Sequence, residues 1–428
     1  MQNSVELLDD YRWLLGPEAA AWLDRLARLE GGQGTSKGGP PSLVQLTQRM
    51  RGELSANRVH LLLEQTELRR RAAAKFPVAA SMFFTRQGLE QATDAVVAVY
   101  KASRFPAGGA LADFCCGMGG DLVALSQCGP VLAIDRDLVS LLLADANLHA
   151  VGQSPLAQPV RFEATNVAQL PHHAVTDLAA WHIDPDRRPA GRRTTRVELH
   201  EPQPDVLRSL LEACPNAAIK LAPAATMEEP WWHDAELQWI SRARQCRQLV
   251  AWFGNLAENP GQRRATVLIA ENSRQNPLPL GEGRVRVQAI HFVGQPDEPI
   301  PVAPQIGRYL FEPDAAVLAA KLEGALAQAE GLSAVAGGVA YFTADRPEHH
   351  PALVGFEVLE VLPYRAKPLR EWLAARNLGR LEIKKRGVPL DPAVVQRELK
   401  NDGTEQAVVL LAKIAGRVMA VVAKRLVR

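Results

Sequence analysis

Asp113, Cys115, Gly117, Gly119 and Asp135 are the residues whose types and spacing most clearly imply chemistry. They lie in ALADFCCGMGGDLVAL (110–125) and PVLAID (130–135). Each apolar run ends in a carboxylate, and small residues turn the chain between them. Glycine lets a ligand approach bare backbone, because it has no Cβ. Turns at the carboxyl ends of parallel strands are where open α/β sheets bind ligands. A dinucleotide would need G-x-G-x-x-G, with its pyrophosphate on the helix N-terminus. Gly117 and Gly119 match, but Leu122 takes the third place and Asp121 would face the phosphates with negative charge. A P-loop also fails, since no Gly-Lys-Ser/Thr follows. S-adenosylmethionine fits better: it lacks phosphate and carries an ammonium, a sulfonium, a carboxylate and a ribose diol. Asp113 suits its cationic methionine part and Asp135 its two ribose hydroxyls. Asn166, ending the next apolar run, suits the adenine amine. Plainer readings remain open: the glycines could merely make the turn, Asp135 could cap the helix after it, and Asp121 reads as a helix N-terminal carboxylate.

A second group begins at His182-Ile183-Asp184-Pro185. Methyl transfer requires in-line approach of the acceptor, so most of the catalysis must come from positioning. Asp184 is the candidate catalytic residue, orienting the acceptor or taking its proton; contact with the cofactor or a structural role are the alternatives. Arg187, Arg188, Arg192, Arg193 and Arg196 follow closely. Guanidinium forks suit phosphate, so the first four are candidate substrate-binding residues; in the alternative these arginines pair with Asp186, Glu198 and Glu201. Trp231-Trp232 could stack on a base or pack in the core. The His172-His173 and His349-His350 pairs lack ligand company and read as surface residues. The 5 cysteines form no CxxC pair and fit neither a disulfide framework nor a zinc site. No metal is expected.

These residues need a frame that delivers strand ends to one place. Strand candidates are ALADFC, PVLAID, VRFEAT (160–165), LAAWHID (178–184), AAIKLA (217–222), QLVAWFG (248–254) and RATVLIA (264–270), mostly with helical segments between. Such alternation implies a largely parallel sheet covered on both faces. The last two candidates, joined by the short loop ENPGQ, fit an antiparallel pair. Helical patterns precede the set, with Leu7, Leu8, Tyr11, Leu14 and Leu15 on one face. Pro/Gly-rich stretches around another apparent strand, VRVQAIHFV, place a boundary near residue 300. Beyond it the chain mixes helices and strands and ends in a hairpin turning at Ala415-Gly416. The chain has 428 residues, 47% of them hydrophobic, and a net charge of +2, so a polyanion site would be a local patch. No apolar run reaches the ~18–20 residues of a membrane span. With no signal pattern at the N-terminus, the expectation is a cytoplasmic protein with no membrane partner.

D-F-C-C-G-M-G-G-D resembles the first motif of class I S-adenosylmethionine-dependent methyltransferases, normally D-x-G-x-G-x-G, with Cys115 replacing the first glycine. The variant resembles cap guanine-N2 methyltransferases of the trimethylguanosine synthase type. It resembles bacterial methyltransferases with a C-terminal THUMP-like domain more closely. FFTRQGLEQAT (83–93), DPDRR (184–188), IKLAPA (219–224), YLFEPDAAV (309–317) and EIKKRG (382–387) carry that second resemblance along nearly the whole chain. It implies an α/β fold: a Rossmann-like seven-strand methyltransferase sheet (81–299), a preceding helical segment (1–80) and a C-terminal α+β THUMP-like domain (300–428). It further implies S-adenosyl-L-methionine as cofactor and RNA, tRNA or rRNA, as partner. Amino-methylating relatives read Asp/Asn-Pro-Pro-aromatic at the fourth strand; Asp184-Pro185 keeps the first half and Asp186-Arg187 replaces the second. Three functions stay open at this point: an RNA methyltransferase, a methyltransferase of proteins or small molecules, and a non-catalytic module holding cofactor and RNA.

Overall fold

The computed structural model describes residues 2–30, 43–152, 158–187, 194–269 and 287–426. Arg188, Arg192 and Arg193 therefore lie outside the described residues. The chain opens with α1 (Gln2–Leu14), α2 (Pro17–Glu30), α3 (Leu43–Glu53), α4 (Ala56–Ala72), α5 (Arg86–Gln91) and α6 (Ala95–Ala102). The alternating part runs β1 (Leu111–Phe114), α7 (Leu122–Leu125), β2 (Val131–Asp135), α8 (Leu138–Ala150), β3 (Val160–Ala164), α9 (His173–Thr176), β4 (Ala180–Ile183), α10 (Pro204–Ala213) and β5 (Ala217–Leu221). Four strands follow: β6 (Glu236–Arg242), β7 (Gln245–Phe253), β8 (Arg263–Ile269) and β9 (Gln288–Gly294).

These nine strands form one sheet in the order β3-β2-β1-β4-β5-β7-β6-β8-β9. Strands β1 to β5 pair in parallel, and β1, β4 and β5 are buried throughout, as a sheet covered on both faces requires. β7 runs antiparallel to both its neighbours. The expected direct pairing of QLVAWFG with RATVLIA does not occur, because β6 lies between them. Sequence reading passed over ELQWISR because buried Gln238 breaks its apolar pattern. That amide is satisfied by distant groups: it donates to Tyr100 and Thr266 and accepts from Trp252 Nε1. The β6–β7 hairpin turns at Ala243 and Arg244, both with positive φ, as a two-residue turn between twisted strands demands. The seven strand candidates correspond to β1–β5, β7 and β8, and β6 and β9 bring the sheet to nine.

The second sheet uses β10 (Tyr309–Pro313), then α11 (Ala315–Ala320), α12 (Glu323–Glu330), β11 (Ser333–Ala334), β12 (Phe342–Ala344) and β13 (Leu353–Pro363). After α13 (Ala366–Ala374) come β14 (Leu378–Arg386), α14 (Pro392–Glu398), β15 (Glu405–Ile414) and β16 (Arg417–Arg425). Its order is β11-β12-β10-β13-β16-β15-β14. The hairpin expected at Ala415-Gly416 is present, with φ of 47° and 77°. Arg244 donates to the Glu312 and Pro313 carbonyls at 3.3 Å, tying the β6–β7 turn to this sheet. Among the described residues, no helix is long and apolar enough to cross a membrane.

The N-terminal helices serve the glycine turn. Leu14, Trp22, Met50, Leu62 and Leu68 share one core with Met118 of the turn and with Val139 and Leu143 of α8. Two buried amides finish the contact. Gln65 of α4 exchanges hydrogen bonds with the Phe84 backbone. Asn147 of α8 accepts from Phe83 N at 2.7 Å and donates to the Phe83 and Met118 carbonyls at 2.9 and 3.0 Å. Replacing Asn147 with Leu leaves those backbone groups unpaired, at about 1–3 kcal/mol each. Thermal melts followed by circular dichroism are expected to show Asn147→Leu destabilised by about 3 kcal/mol.

Candidate active site

A crevice of about 600 Å3 opens at the carboxyl ends of β1, β2 and β4, inside the ~300–1,000 Å3 range of small-molecule sites. Asp113, Cys115, Gly117, Asp135, Asn166, Asp184 and Arg187 all line it. Gly119 is set back: a Cβ there would sit 3.4 Å from the Ala144 backbone of α8. Gly117 faces the opening, where a Cβ would meet nothing within 4 Å. Both glycines hold positive φ, 54° and 87°. Cys115 does too, at 53°, so it keeps the left-handed backbone that the motif normally assigns to glycine. Burial first, then the Asp135 and Asp184 carboxylates, push its thiol well above the ordinary range. It stays protonated and fills space.

Asp135 accepts from Gly117 N at 2.8 Å and from Asp137 N at 2.9 Å. Burial outweighs these bonds and raises its carboxyl above the usual value. The helix cap considered for Asp135 belongs to Asp137, whose side chain accepts from Val139 and Ser140 N. Each Asp135 oxygen retains lone-pair capacity for a diol. Asn166 Oδ1 accepts from Ala168 N at 3.0 Å, fixing the turn after β3. Thr85 caps α5 through Gly88 N.

Asp113 lies deeper. In register on adjacent strands, Asp113 and His182 form a bond of 2.7 Å between Oδ1 and Nδ1. Asp113 Oδ2 is buried and has no hydrogen-bond partner among the described residues. Asp121 makes no helix cap; its carboxylate turns inward to Lys101 Nζ at 2.7 Å and Thr93 Oγ1 at 2.5 Å. Burial works to raise the Asp121 carboxyl, but Lys101 and its neighbours His182 and Lys220 together outweigh it and hold the group below the usual carboxylate range.

Asp184 Oδ2 accepts from Lys220 Nζ at 2.6 Å, and Lys220 also donates to the Gln91 carbonyl at 2.8 Å. Lys75 donates to the carbonyls of Leu89, Glu90 and Ala92. Two lysines thus take the four carbonyls at the end of α5, whose following segment walls the crevice. Arg136 meets Glu201 at 2.5 Å and Asp186 at 3.5 Å, so both acids also serve a partner outside the arginine run. Arg196 pairs with Glu228 at 3.8 Å. Trp231 and Trp232 stack on each other at 4.0 Å and pack against Phe253, which is the core-packing alternative. Sequence reading missed Lys101, His182, Lys220, Lys75 and Arg136. A lone lysine inside an apolar helix (AVVAVYKA) and another inside a buried strand (AAIKL) were the available signals.

Known proteins bear on this geometry. Residues 353–425 match the family model described as THUMP domain-like. Proteins of two Mycobacterium tuberculosis strains, CDC 1551 and H37Rv, are each 34% identical over 369 residues, covering 84% of this chain and 94% of theirs. Each is described as an uncharacterized S-adenosylmethionine-dependent methyltransferase. A solved Porphyromonas gingivalis W83 structure, described as that of a methyltransferase, superposes with a TM-score of 0.72 at 19% identity and covers 98% of both chains. That likeness bears on the fold.

The left-handed backbone at Cys115 yields a test. A non-glycine residue there costs about 1–2 kcal/mol, partly offset by glycine's greater freedom when unfolded. Cys115→Gly is expected to melt at or slightly above the wild-type temperature, and Cys115→Val to lose about 2 kcal/mol or more.

Proposed function

The chain belongs to the S-adenosylmethionine-dependent methyltransferase family, and from that premise we propose that it methylates a nitrogen of an RNA base, with a guanine amine the leading candidate. The observation that carries the RNA reading is the THUMP domain-like stretch, residues 353–425, in the same chain as the crevice. In this reading the chain divides into a helical segment (1–80), a catalytic domain (81–299) and an RNA-facing domain (300–428). Exposed Lys385, Lys413, Arg417 and Lys424 supply basic surface there. Lys384 and Arg386 are less available, because both pair with Glu312.

The bound cofactor supplies an electrophilic methyl group on a sulfonium. The chain's own residues do the rest. Asp113 offers its unpartnered Oδ2 to the ammonium and Asp135 accepts from the ribose diol. Gly117, carried at positive φ beside Cys115 and Gly119, leaves the bare backbone along which the nucleoside lies. Asn166 meets the adenine amine. Lys220 fixes Asp184 Oδ2, so Oδ1 is the oxygen that accepts from the acceptor amine, orients it in line and receives its proton. Arg187 at the crevice edge, followed by Arg188, Arg192 and Arg193, engages backbone phosphates.

A protein or small-molecule acceptor is the second reading. It is favoured by Asp186-Arg187, standing where relatives that methylate amines carry proline and an aromatic; Asp186 pairs with Arg136. Incubation with methyl-labelled cofactor and fractionated cell extract separates the two: label should enter tRNA or rRNA, and label confined to protein or small molecules would select the alternative. Asp184→Asn should lower kcat about 100-fold or more with cofactor Kd within about threefold. Arg187→Ala should reduce the salt dependence of RNA binding by about one phosphate, measured by filter binding across ionic strengths.

A further inference from the structure

A chain of polar side chains runs inward from Asp113 at the floor of the crevice, and its members beyond Asp113 have no part in the roles above. Asp113 Oδ1 meets His182 Nδ1 at 2.7 Å, and His182 Nε2 meets Lys101 Nζ at 3.0 Å. Lys101 Nζ continues to Asp121 Oδ1 at 2.7 Å, and Asp121 Oδ2 accepts from Thr93 Oγ1 at 2.5 Å. His182 is 1% exposed and Lys101 2%. An ammonium has donors only, so His182 Nε2 must accept from Lys101. The ring is then neutral, with its single proton on Nδ1 and donated to Asp113. Every link has one donor and one acceptor. A protonated ring would instead set two donors face to face at 3.0 Å.

Burial raises the Asp113 carboxyl against the pull of His182 and lowers the Lys101 ammonium against that of Asp121; with both carboxylates ionised and Lys101 an ammonium, the four groups hold two negative charges and one positive. The relay is therefore net negative by one charge, matching the one net positive charge of S-adenosylmethionine. The demethylated product has lost the sulfonium and is neutral overall. In a buried setting a unit charge is felt far more strongly than in water.

We propose that Lys101 and His182 are positioning residues for the cofactor: Lys101 locks His182 as the neutral Nδ1–H tautomer, His182 holds Asp113 with Oδ2 free for the cofactor's ammonium, and the relay's negative charge favours the sulfonium cofactor over its neutral product. The inference rests on the cofactor role assigned to Asp113. The groups facing His182 are Asp113 from β1, Lys101 from α6 and Asp121 from the turn before α7. From β5, Lys220 acts electrostatically on Lys101 and Asp121 and is itself bound to Asp184 and the Gln91 carbonyl.

Calorimetric titration of the full chain with S-adenosylmethionine, and separately with S-adenosylhomocysteine, tests this. His182→Phe removes the one donor that favours the ionised form of buried Asp113, so it should weaken the sulfonium compound roughly tenfold and the neutral product about threefold or less. His182→Asn, whose amide can donate to Asp113 but does not titrate, should return affinity to within about threefold of wild type. The paired swap Lys101→Met with Asp121→Asn removes the donor to His182 Nε2 at unchanged net charge and should weaken the sulfonium compound about threefold or more. Equal losses for both ligands in His182→Phe, no recovery in His182→Asn, or unchanged affinity in the paired swap would each overturn the proposal. Circular dichroism melts check folding, and the His182→Asn comparison stands if the paired swap fails to fold. Asp113→Asn separates the two layers: unchanged affinity removes the cofactor role of Asp113, whereas lost affinity with an unaffected His182→Phe removes only the relay.

Discussion

A carboxylate buried in a protein interior costs several kcal/mol unless donors compensate it, and among the described residues Asp113 obtains only one, from His182. Much of the catalytic end of the molecule is arranged around that shortfall. The β1–β4 register brings His182 beside Asp113, α6 delivers Lys101 behind the ring, and Asp121 balances the lysine. The open oxygen is left where a cationic nucleoside can supply the missing donor. An S-adenosylmethionine-dependent methyltransferase has a use for such a floor, since its cofactor is more positive before reaction than after it.

Outside this floor, stability and site geometry are the same problem. The helical N-terminal segment packs on Met118 and α8, and Asn147 and Gln65 turn that packing into fixed backbone positions at the crevice wall. On the opposite wall, Lys220 joins Asp184 to α5 through one ammonium. The Asp184 carboxylate and the end of α5 therefore cannot shift independently.

Local features of the site were legible in the sequence, and long-range ones were not. Asp113, Gly117, Asp135, Asn166 and Asp184 could be gathered because each ends a strand or forms the turn beside it, and they share one crevice. The Asp113–His182 pair depends on strand register, which no local pattern encodes. β6 stayed hidden because buried Gln238 reads as polar until Tyr100, Thr266 and Trp252 are brought to it. The Ala415-Gly416 hairpin was readable, since two residues of positive φ between alternating strands leave few other conformations. β14 was not, because Lys384 and Arg386 look like a solvated charge run until Glu312 pairs with them.

A crystal structure of the chain with S-adenosylhomocysteine is the most direct test of the two-carboxylate clamp. The account predicts the ligand's ammonium within about 3.2 Å of Asp113 Oδ2, its ribose hydroxyls on Asp135, and its backbone-facing side over Gly117. A ligand seated elsewhere, or one in this crevice whose ammonium turns away from Asp113, would contradict it.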